Sequence, residues 1–205
     1  MVEFDISNFH LTSLIGVTFP ENVQKLYCYH NQLTSLEGCP PSVQELYCRN
    51  NQLTNFEGCP PSVKILDCDD NQLTNLKGCR PSVQQLYCCN NQLTSLKGCP
   101  PSVQRLNCFN NQLTSLKGCP FSVQQLWCNN NPLNSEYHNK SLEEIHKINQ
   151  IKAYRKGILK LNSIIFTTVI QRCFRYYYYD KLNSNGISLF CLRSMEDDKK
   201  SGIII

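Results

Sequence analysis

The stretch "LYCRNNQLTNFEGCPPSV" at residues 46–63 returns almost unchanged as "LYCCNNQLTSLKGCPPSV" at residues 86–103. Written from its first apolar residue, each copy reads V-x-x-L-x-C-x-x-N-x-L-T-x-L-x-G-C-P-P-S. A fixed period of this length predicts a solenoid, in which each copy, here termed a rung, packs mainly on its neighbours. The rungs begin at Val23, Val43, Val63, Val83, Val103 and Val123, and the last one decays after Leu133.

Each rung combines residues that favour a strand, a turn and an extended return segment. The alternating L-x-C segment predicts a short strand whose leucine and cysteine point inward while the residue between them points outward. The asparagine after the strand can satisfy backbone groups at a turn through its side-chain amide. Glycine suits a turn with positive φ, and the Pro-Pro pair suits an extended return. A 20-residue period leaves no room for a helix on that return.

The spacing V-x-x-L-x-C-x-x-N-x-L resembles a leucine-rich repeat in which valine and cysteine take two of the leucine positions. The short rungs are similar to those of secreted bacterial effectors, and the cysteine-substituted form is similar to repeat proteins encoded by giant DNA viruses of amoebae. The resemblance covers about residues 2–135. It implies a curved, right-handed solenoid with a parallel sheet on its concave side, an extended convex side and a role in protein recognition.

The predicted organisation has four parts. Residues 1–22 form an atypical N-terminal capping rung, with Phe4 and Ile6 at the strand positions, because a terminal rung must face water on one side. Residues 23–135 form the regular solenoid. Residues 136–182 form a basic helical cap or tail that begins with a capping box at Ser141, with a break expected at Gly157 or at 162–163. We expect residues 183–205 to be flexible.

Most of the 14 cysteines lie in the rungs. One column follows the strand leucine and the other follows the glycine. In-register rungs lie about 4.8 Å apart, whereas bridged cysteines need Cβ atoms about 3.8 Å apart. No C-x-x-C pair is present to suggest a zinc site. We therefore predict reduced thiols that fill a narrow core, which suits an intracellular protein, or one in the host cytoplasm if it is viral. Cys89 alone falls on an outward position.

The outward positions carry most of the differences between rungs. The third, fifth and seventh positions of each rung are predicted to project from the sheet, and they define what we term the concave face. Aromatic and arginine side chains are enriched where protein partners bind. Tyrosines in one column could equally stack on one another and stiffen the solenoid. The residues that we predict to bind a partner are Tyr27, Tyr29, Tyr47, Arg49, Asp67, Asp69, Tyr87, Cys89, Arg105, Phe109 and Trp127.

The third rung places like charges close together on this face. Asp67 and Asp69 both point outward, and Asp70 lies at the turn. Such a cluster is destabilising unless a cation neutralises it. The sequence offers two candidates, namely a basic group of the partner or Arg49 in the preceding rung. The internal Arg49–Asp69 pair is the favoured expectation.

The sequence contains no arrangement typical of catalysis or cofactor binding. Some bacterial effectors with similar repeats are ubiquitin ligases whose separate domain uses a C-x-D motif. The corresponding letters here begin at Cys68, which is predicted to face the core, whereas Cys173 and Cys191 lack the aspartate. His138 and His146 form no H-E-x-x-H motif, and no glycine-rich phosphate loop is present. We therefore expect a non-enzymatic protein without a cofactor.

The C-terminal part differs in charge from the rungs. Residues 1–135 hold 8 basic and 9 acidic residues, a net charge of −1, whereas residues 136–205 hold 12 and 7, a net charge of +5. "VIQRCFRYYYYDK" at 169–181 resembles a degraded calmodulin-binding IQ motif through Ile170, Gln171 and Arg175. The tail could cap the solenoid, bind a calmodulin-like helical partner, or lie on a membrane or nucleic acid. The apolar run "IIFTTVI" is too short to span a membrane.

The predicted function is that of a non-enzymatic scaffold that binds a protein through the concave face, with no nucleic acid expected. The alternative is an adaptor in which the basic tail makes the main contact and the rungs act as a spacer. A third interpretation is a recently expanded repeat array without a ligand.

Overall fold

The computed structural model describes the backbone of residues 1–180 and the side chains of most residues up to 168. Seven short strands form one parallel sheet in chain order, followed by a 3-10 helix, Ser135–Tyr137, and a helix α1, Leu142–Asp180. The strands are β1 Val2–Asp5, β2 Val23–Tyr27, β3 Glu45–Tyr47, β4 Ile65–Asp67, β5 Gln85–Tyr87, β6 Arg105–Asn107 and β7 Gln125–Trp127. The predicted parallel-sheet solenoid with an extended return segment is confirmed.

The repeat period fixes the register of the sheet. Leu26 lies opposite Leu46, and this pairing of strand leucines continues from β2 to β7. The valine, leucine and strand-cysteine columns of the inner rungs are fully buried, as at Val63, Leu66 and Cys68. One continuous apolar core therefore runs along the repeats. Each rung relies on its neighbours to bury that core.

A ladder of buried asparagines holds successive turns together. The Nδ2 group of Asn71 donates to the carbonyls of Cys48 and Cys68 at 3.1 and 3.2 Å, and its Oδ1 accepts from the N–H of Leu53 at 2.9 Å. The same bonds recur from Asn31 to Asn131. Backbone groups that would otherwise be unpaired in the core are thereby satisfied.

Two further features repeat along the chain, one in the backbone conformation and one in the hydrogen bonds. The residue before each asparagine has positive φ, as at Asn50 (53°) and Asp70 (53°), where an Asn or Asp side chain is best tolerated. On the return segment, the hydroxyl of Ser62 lies within hydrogen-bond distance of the carbonyls of Pro41 and Val43, which lie one turn of the solenoid earlier in the chain. The return segment is therefore joined to its neighbour by serine hydroxyls rather than by a sheet.

The N-terminal capping rung, residues 1–22, has the irregular form that the sequence predicts. Phe4 lies opposite Leu26 in the register of β1, and Ile6 is buried at the position of the strand cysteines. Asn31 donates to the carbonyl of Ile6 at 2.8 Å, as later asparagines do to cysteine carbonyls. The ring of Phe19 meets that of Phe4 edge-on at 5.6 Å.

The chain divides into two compact units, Met1–Asn149 and Gln150–Ile205. In the first unit, the predicted capping box opens α1: the N–H of Glu144 donates to Ser141 Oγ at 3.2 Å, and the N–H of Ser141 donates to Glu144 Oε2 at 2.8 Å. Tyr137 and Ile145 are buried against the last rungs, and Asn149 Nδ2 donates to the carbonyl of Leu116 at 2.9 Å.

The second unit differs from the sequence expectation in two respects. Helix α1 continues to Asp180 without the break expected near Gly157. Its apolar residues Ile151, Ile158 and Leu161 are exposed, although they continue the spacing of the buried Ile145. No helix within residues 1–180 is both long and apolar enough to cross a membrane. The expected flexible segment 183–205 lies outside the described residues.

Candidate functional site

The concave face is built by the outward positions of seven parallel strands. Because the register repeats from strand to strand, residues at the same rung position form columns that cross the sheet. All of the predicted partner-binding residues occupy these columns, but they differ in exposure, from 7% at Cys89 to 45% at Trp127. The face divides into an aromatic and cationic part, an acidic part and an apolar part.

The aromatic and cationic part lies on β2 and β3. Tyr27 and Tyr47 stack across the two strands with ring centroids 5.0 Å apart, as the stacking alternative predicts. Lys25 Nζ lies 5.2 Å and 5.5 Å from these two ring centroids. Lys25 also bridges Glu3 at 3.7 Å and Glu45 at 3.5 Å. The tyrosines in this part therefore stabilise the sheet whether or not they contact a partner.

Tyr47 is further fixed by its hydroxyl, which donates to Glu45 Oε2 at 3.0 Å. Burial, followed by the hydrogen bond to Glu45, raises the pKa of Tyr47 to about 12. The hydroxyl therefore remains a donor to a higher pH than that of an ordinary tyrosine. Sequence reasoning did not identify Lys25 as the centre of this cluster, although opposite charges at one position of adjacent rungs are a signal for such a bridge.

The expected Arg49–Asp69 ion pair is wrong. Arg49 lies over the ring of Tyr29, with its guanidinium carbon 5.3 Å from the centroid, and within the described residues it makes no ion pair within 4 Å. Asp69 instead accepts a hydrogen bond from the N–H of Cys89 in the following rung. The two side chains thus contact opposite neighbours, Arg49 in the preceding rung and Asp69 in the following one.

The acidic part lies on the third rung. Asp67 Oδ1 accepts from the N–H of Asp69 at 3.2 Å, and Asp70 Oδ1 accepts from Asn90 Nδ2 at 2.8 Å. Burial, followed by repulsion from Asp69, raises the pKa of Asp67 to about 6, and burial also raises the pKa of Asp69. Neither Asp67 nor Asp69 makes an ion pair within 4 Å among residues of the described part. This part of the face therefore keeps a negative potential.

The predicted exposure of Cys89 is wrong. Its position on the rung places it outside the core cluster, yet only 7% of the residue is accessible. Its backbone N–H is bound by Asp69, and burial followed by the charge of Asp69 raises the pKa of its thiol to about 12. Alternation along a strand predicts which way a side chain points, but it does not predict how much of that side chain the neighbouring residues cover. Cys89 is covered on the concave face and is a poor nucleophile.

The apolar part lies on the last two rungs. Phe109 is 37% exposed and Trp127 is 45% exposed, and Arg105 on β6 is also exposed. No aromatic ring contact fixes Phe109 or Trp127 among the described residues. In contrast, Tyr87 on β5 is half-buried and donates its hydroxyl to Gln85 Oε1 at 3.2 Å. The last two rungs thus present the largest accessible ring surfaces of the face.

A polar column at the edge of the face was missed by the sequence reasoning. Asn110 Nδ2 donates to Asn90 Oδ1 at 2.8 Å, and Asn90 donates onward to Asp70. These residues hold the positive-φ position before the buried asparagine. The restriction of that position to His, Asn and Asp in all regular rungs was the available signal.

The alternative contact residues in the tail are placed only in part. Ile170, Gln171 and Arg175 lie within helix α1, and their side chains fall outside the described residues. Within the part of the chain that the structure describes, no group of three or more His, Cys, Asp or Glu residues could hold a metal ion. The described cysteines are all free thiols.

The geometry can now be compared with that of known proteins. A chain described as YopM from Yersinia enterocolitica WA-314 is 28% identical with a TM-score of 0.52, over 58% of this chain and 27% of that one. A chain described as a Shigella effector LRR domain is 25% identical with a TM-score of 0.56, over 65% of this chain and 60% of that one. The fold is a leucine-rich-repeat solenoid.

The likeness is limited in extent. The chain spans about a quarter of the first of these structures and three fifths of the second. No family model matches the chain, and no curated protein matches it. Both structures are bacterial, so they support the resemblance to bacterial repeat regions and do not address the resemblance to viral ones.

Proposed function

We propose that the protein is a non-enzymatic scaffold that binds a protein partner through its concave face. The observation that carries this proposal is the exposed apolar part, because Phe109 and Trp127 lie accessible beside Arg105 on a rigid sheet. Aromatic and arginine side chains of this kind are enriched at the centres of protein interfaces. The likeness to an effector LRR domain supports a role in protein recognition.

The charge of the face indicates the chemistry of a suitable partner. Glu3 and Glu45 share the ammonium of Lys25, whereas Asp67 and Asp69 have no cation within 4 Å among the described residues. A partner that presents a Lys or Arg side chain to the third rung would lower the raised pKa of both carboxyls and neutralise their charge. The same partner would place an apolar group on Phe109 and Trp127, two and three rungs away, at about 4.8 Å per rung.

A second candidate function is an adaptor whose tail makes the main contact. It is favoured by the net charge of +5 in residues 136–205 and by the continuous helix α1 that carries Ile170, Gln171 and Arg175. A calmodulin-like partner or an anionic membrane surface would suit such a helix. We also propose an intracellular location, in which the thiols of the core stay reduced.

Quantitative affinity capture with full-length baits tests these alternatives. The concave variant combines Asp67→Asn, Asp69→Asn and Phe109→Ala. The tail variant combines Ile170→Ala, Gln171→Ala and Arg175→Ala, and a convex control combines the exposed Lys77, Lys97 and Lys117 changed to alanine. We expect a partner that the concave variant loses while the other two baits retain it. A partner lost only by the tail variant would contradict the proposal and support the adaptor.

A further inference from the structure

The last strand, β7, leaves one edge of the sheet unpaired. At each inner rung, the strand cysteine and the residue two positions later donate to the following rung. Cys108 N–H donates to Trp127 O at 2.8 Å, and Asn110 N–H donates to Asn129 O at 3.0 Å. Within residues 1–180, no rung follows Cys128 and Asn130, so their N–H groups lack the carbonyl acceptors that the inner rungs have.

At the same edge, a carbonyl lacks one of its usual donors and part of the core is less buried. The carbonyl of Cys48 accepts from both Asn51 and Asn71, whereas that of Cys128 accepts from Asn131 alone among the described residues. Leu126 and Cys128 are half-buried, although the equivalent residues of the preceding rung are fully buried. Both the hydrogen bonds and the core of the sheet are thus interrupted at β7.

The segment that follows the rungs covers the other half of the end. Tyr137 and Ile145 are buried, and Asn149 and His146 contact the carbonyls of Leu116 and Pro120 at 2.9 and 3.1 Å. These contacts lie on the return segment of the last rungs. The 142–149 part of the helix therefore closes the convex half of the first unit and leaves its strand half unpaired.

The edge also lacks the charges that usually prevent association. No Asp, Glu, Lys or Arg occurs from Gly118 to Ser135, whereas the equivalent span of the preceding rung contains Arg105 and the one before it Arg80. Charged side chains are one of the devices by which natural sheets protect exposed edges. An uncharged strand can meet a copy of itself without like charges falling opposite each other.

We propose that β7 pairs antiparallel with β7 of a second copy of this chain, with Trp127 opposite its own counterpart at the two-fold axis. The carbonyl of Trp127 accepts from the N–H of Cys108, so the backbone of Trp127 points towards β6. The backbone groups of Leu126 and Cys128 therefore point towards the open edge. Leu126 then exchanges both backbone hydrogen bonds with Cys128 of the other copy. Trp127 takes the non-hydrogen-bonded position, where opposite side chains are closest.

Sedimentation velocity from micromolar to millimolar protein tests the pairing. We expect the wild type to convert from monomer to dimer as concentration rises. Because Trp127 is the one tryptophan of the sequence, its emission should shift to the blue over the same range. Trp127→Lys places two cations opposite each other and should weaken association by about tenfold or more. Asn107→Lys adds the same charge on an inner strand and should leave the association curve unchanged.

A wild type that stays monomeric throughout would overturn the proposal, as would equal dimerisation by both variants or an equal loss in both. Trp127→Cys gives an independent readout. Opposite residues at a non-hydrogen-bonded position have Cα atoms about 4.5 Å apart, which a disulfide can bridge. Mild oxidation followed by peptide mapping should show the new thiol linked to its counterpart, and Asn107→Cys should not link. Failure of the first variant to link, or linkage of both, would contradict the arrangement.

Discussion

Replacing Asn71 by alanine is expected to destabilise the solenoid far more than a typical surface change. Asn71 is 7% exposed, and it accepts from the N–H of Leu53 while donating to the carbonyls of Cys48 and Cys68. Alanine leaves the Leu53 N–H buried without a partner and removes a donor from two carbonyls. An unsatisfied buried group costs about 1–3 kcal/mol, so we expect a loss of roughly 3 kcal/mol in the free energy of unfolding.

Asn131→Ala is the matched control. Asn131 makes the equivalent bonds to Leu113, Cys108 and Cys128, but it is only half-buried because no rung follows it. Water can replace the lost bonds there, so we expect a loss of about 1 kcal/mol or less. Urea denaturation followed by far-UV circular dichroism measures both values, provided that the m-values match that of the wild type. A loss below about 1 kcal/mol for Asn71→Ala, or equal losses in the two variants, would refute the reasoning.

Three further predictions concern glycine, aspartate and cysteine positions. Gly58→Ala should lower the free energy of unfolding by about 2 kcal/mol more than Gly78→Ala. Both glycines have positive φ, but only a Cβ at Gly58 would overlap the Leu36–Glu37 backbone. Equal losses in urea denaturation would contradict this. Burial raises the pKa of Asp67 to about 6, so the folded protein binds this proton more tightly than the unfolded chain does. The resulting gain in the free energy of unfolding is fully present below pH 4 and is lost as the pH rises through 6. Asp67→Asn should therefore gain about 1 kcal/mol over wild type at pH 7.5 and nothing at pH 3.5, and an advantage independent of pH would rule out this cause. In native alkylation with peptide mapping, the half-buried Cys39, Cys79, Cys99 and Cys128 should react before Cys28, Cys48, Cys68, Cys88 and Cys108, whereas earliest labelling of Cys89 would mean that it is not covered.

The repeat made the fold predictable from sequence to an unusual depth. Six aligned rungs identify the inward valine, leucine and cysteine columns, and the register follows because equal rungs can only bury them when stacked in phase. The asparagine ladder follows from the same logic, since a buried turn needs a side chain that both donates and accepts. The capping box at Ser141 was readable because its two reciprocal hydrogen bonds depend on residues within one turn.

The details of the face were not predictable in the same way. The direction of Arg49, over Tyr29 rather than towards Asp69, depends on a competition between partners in two adjacent rungs. Cys89 is 7% exposed although it lies outside the core cluster, and its position on the rung does not show this. The helical pattern of the tail did not show how far its apolar side chains pack. Ile145 is buried, whereas Ile151 and Ile158 are exposed, and the described contacts to Leu116 and Pro120 come from His146 and Asn149. Such outcomes depend on tertiary geometry, which a sequence pattern does not contain.

The most direct test of the concave face is photo-crosslinking inside cells. A photoreactive amino acid would replace Phe109 on the concave face, Lys97 on the return segment or Gln171 in helix α1, each in the full chain. We expect a covalent adduct of defined mass from position 109 and none from position 97. Adducts from position 171 without any from position 109 would contradict recognition by the concave face and place the main contact in the tail.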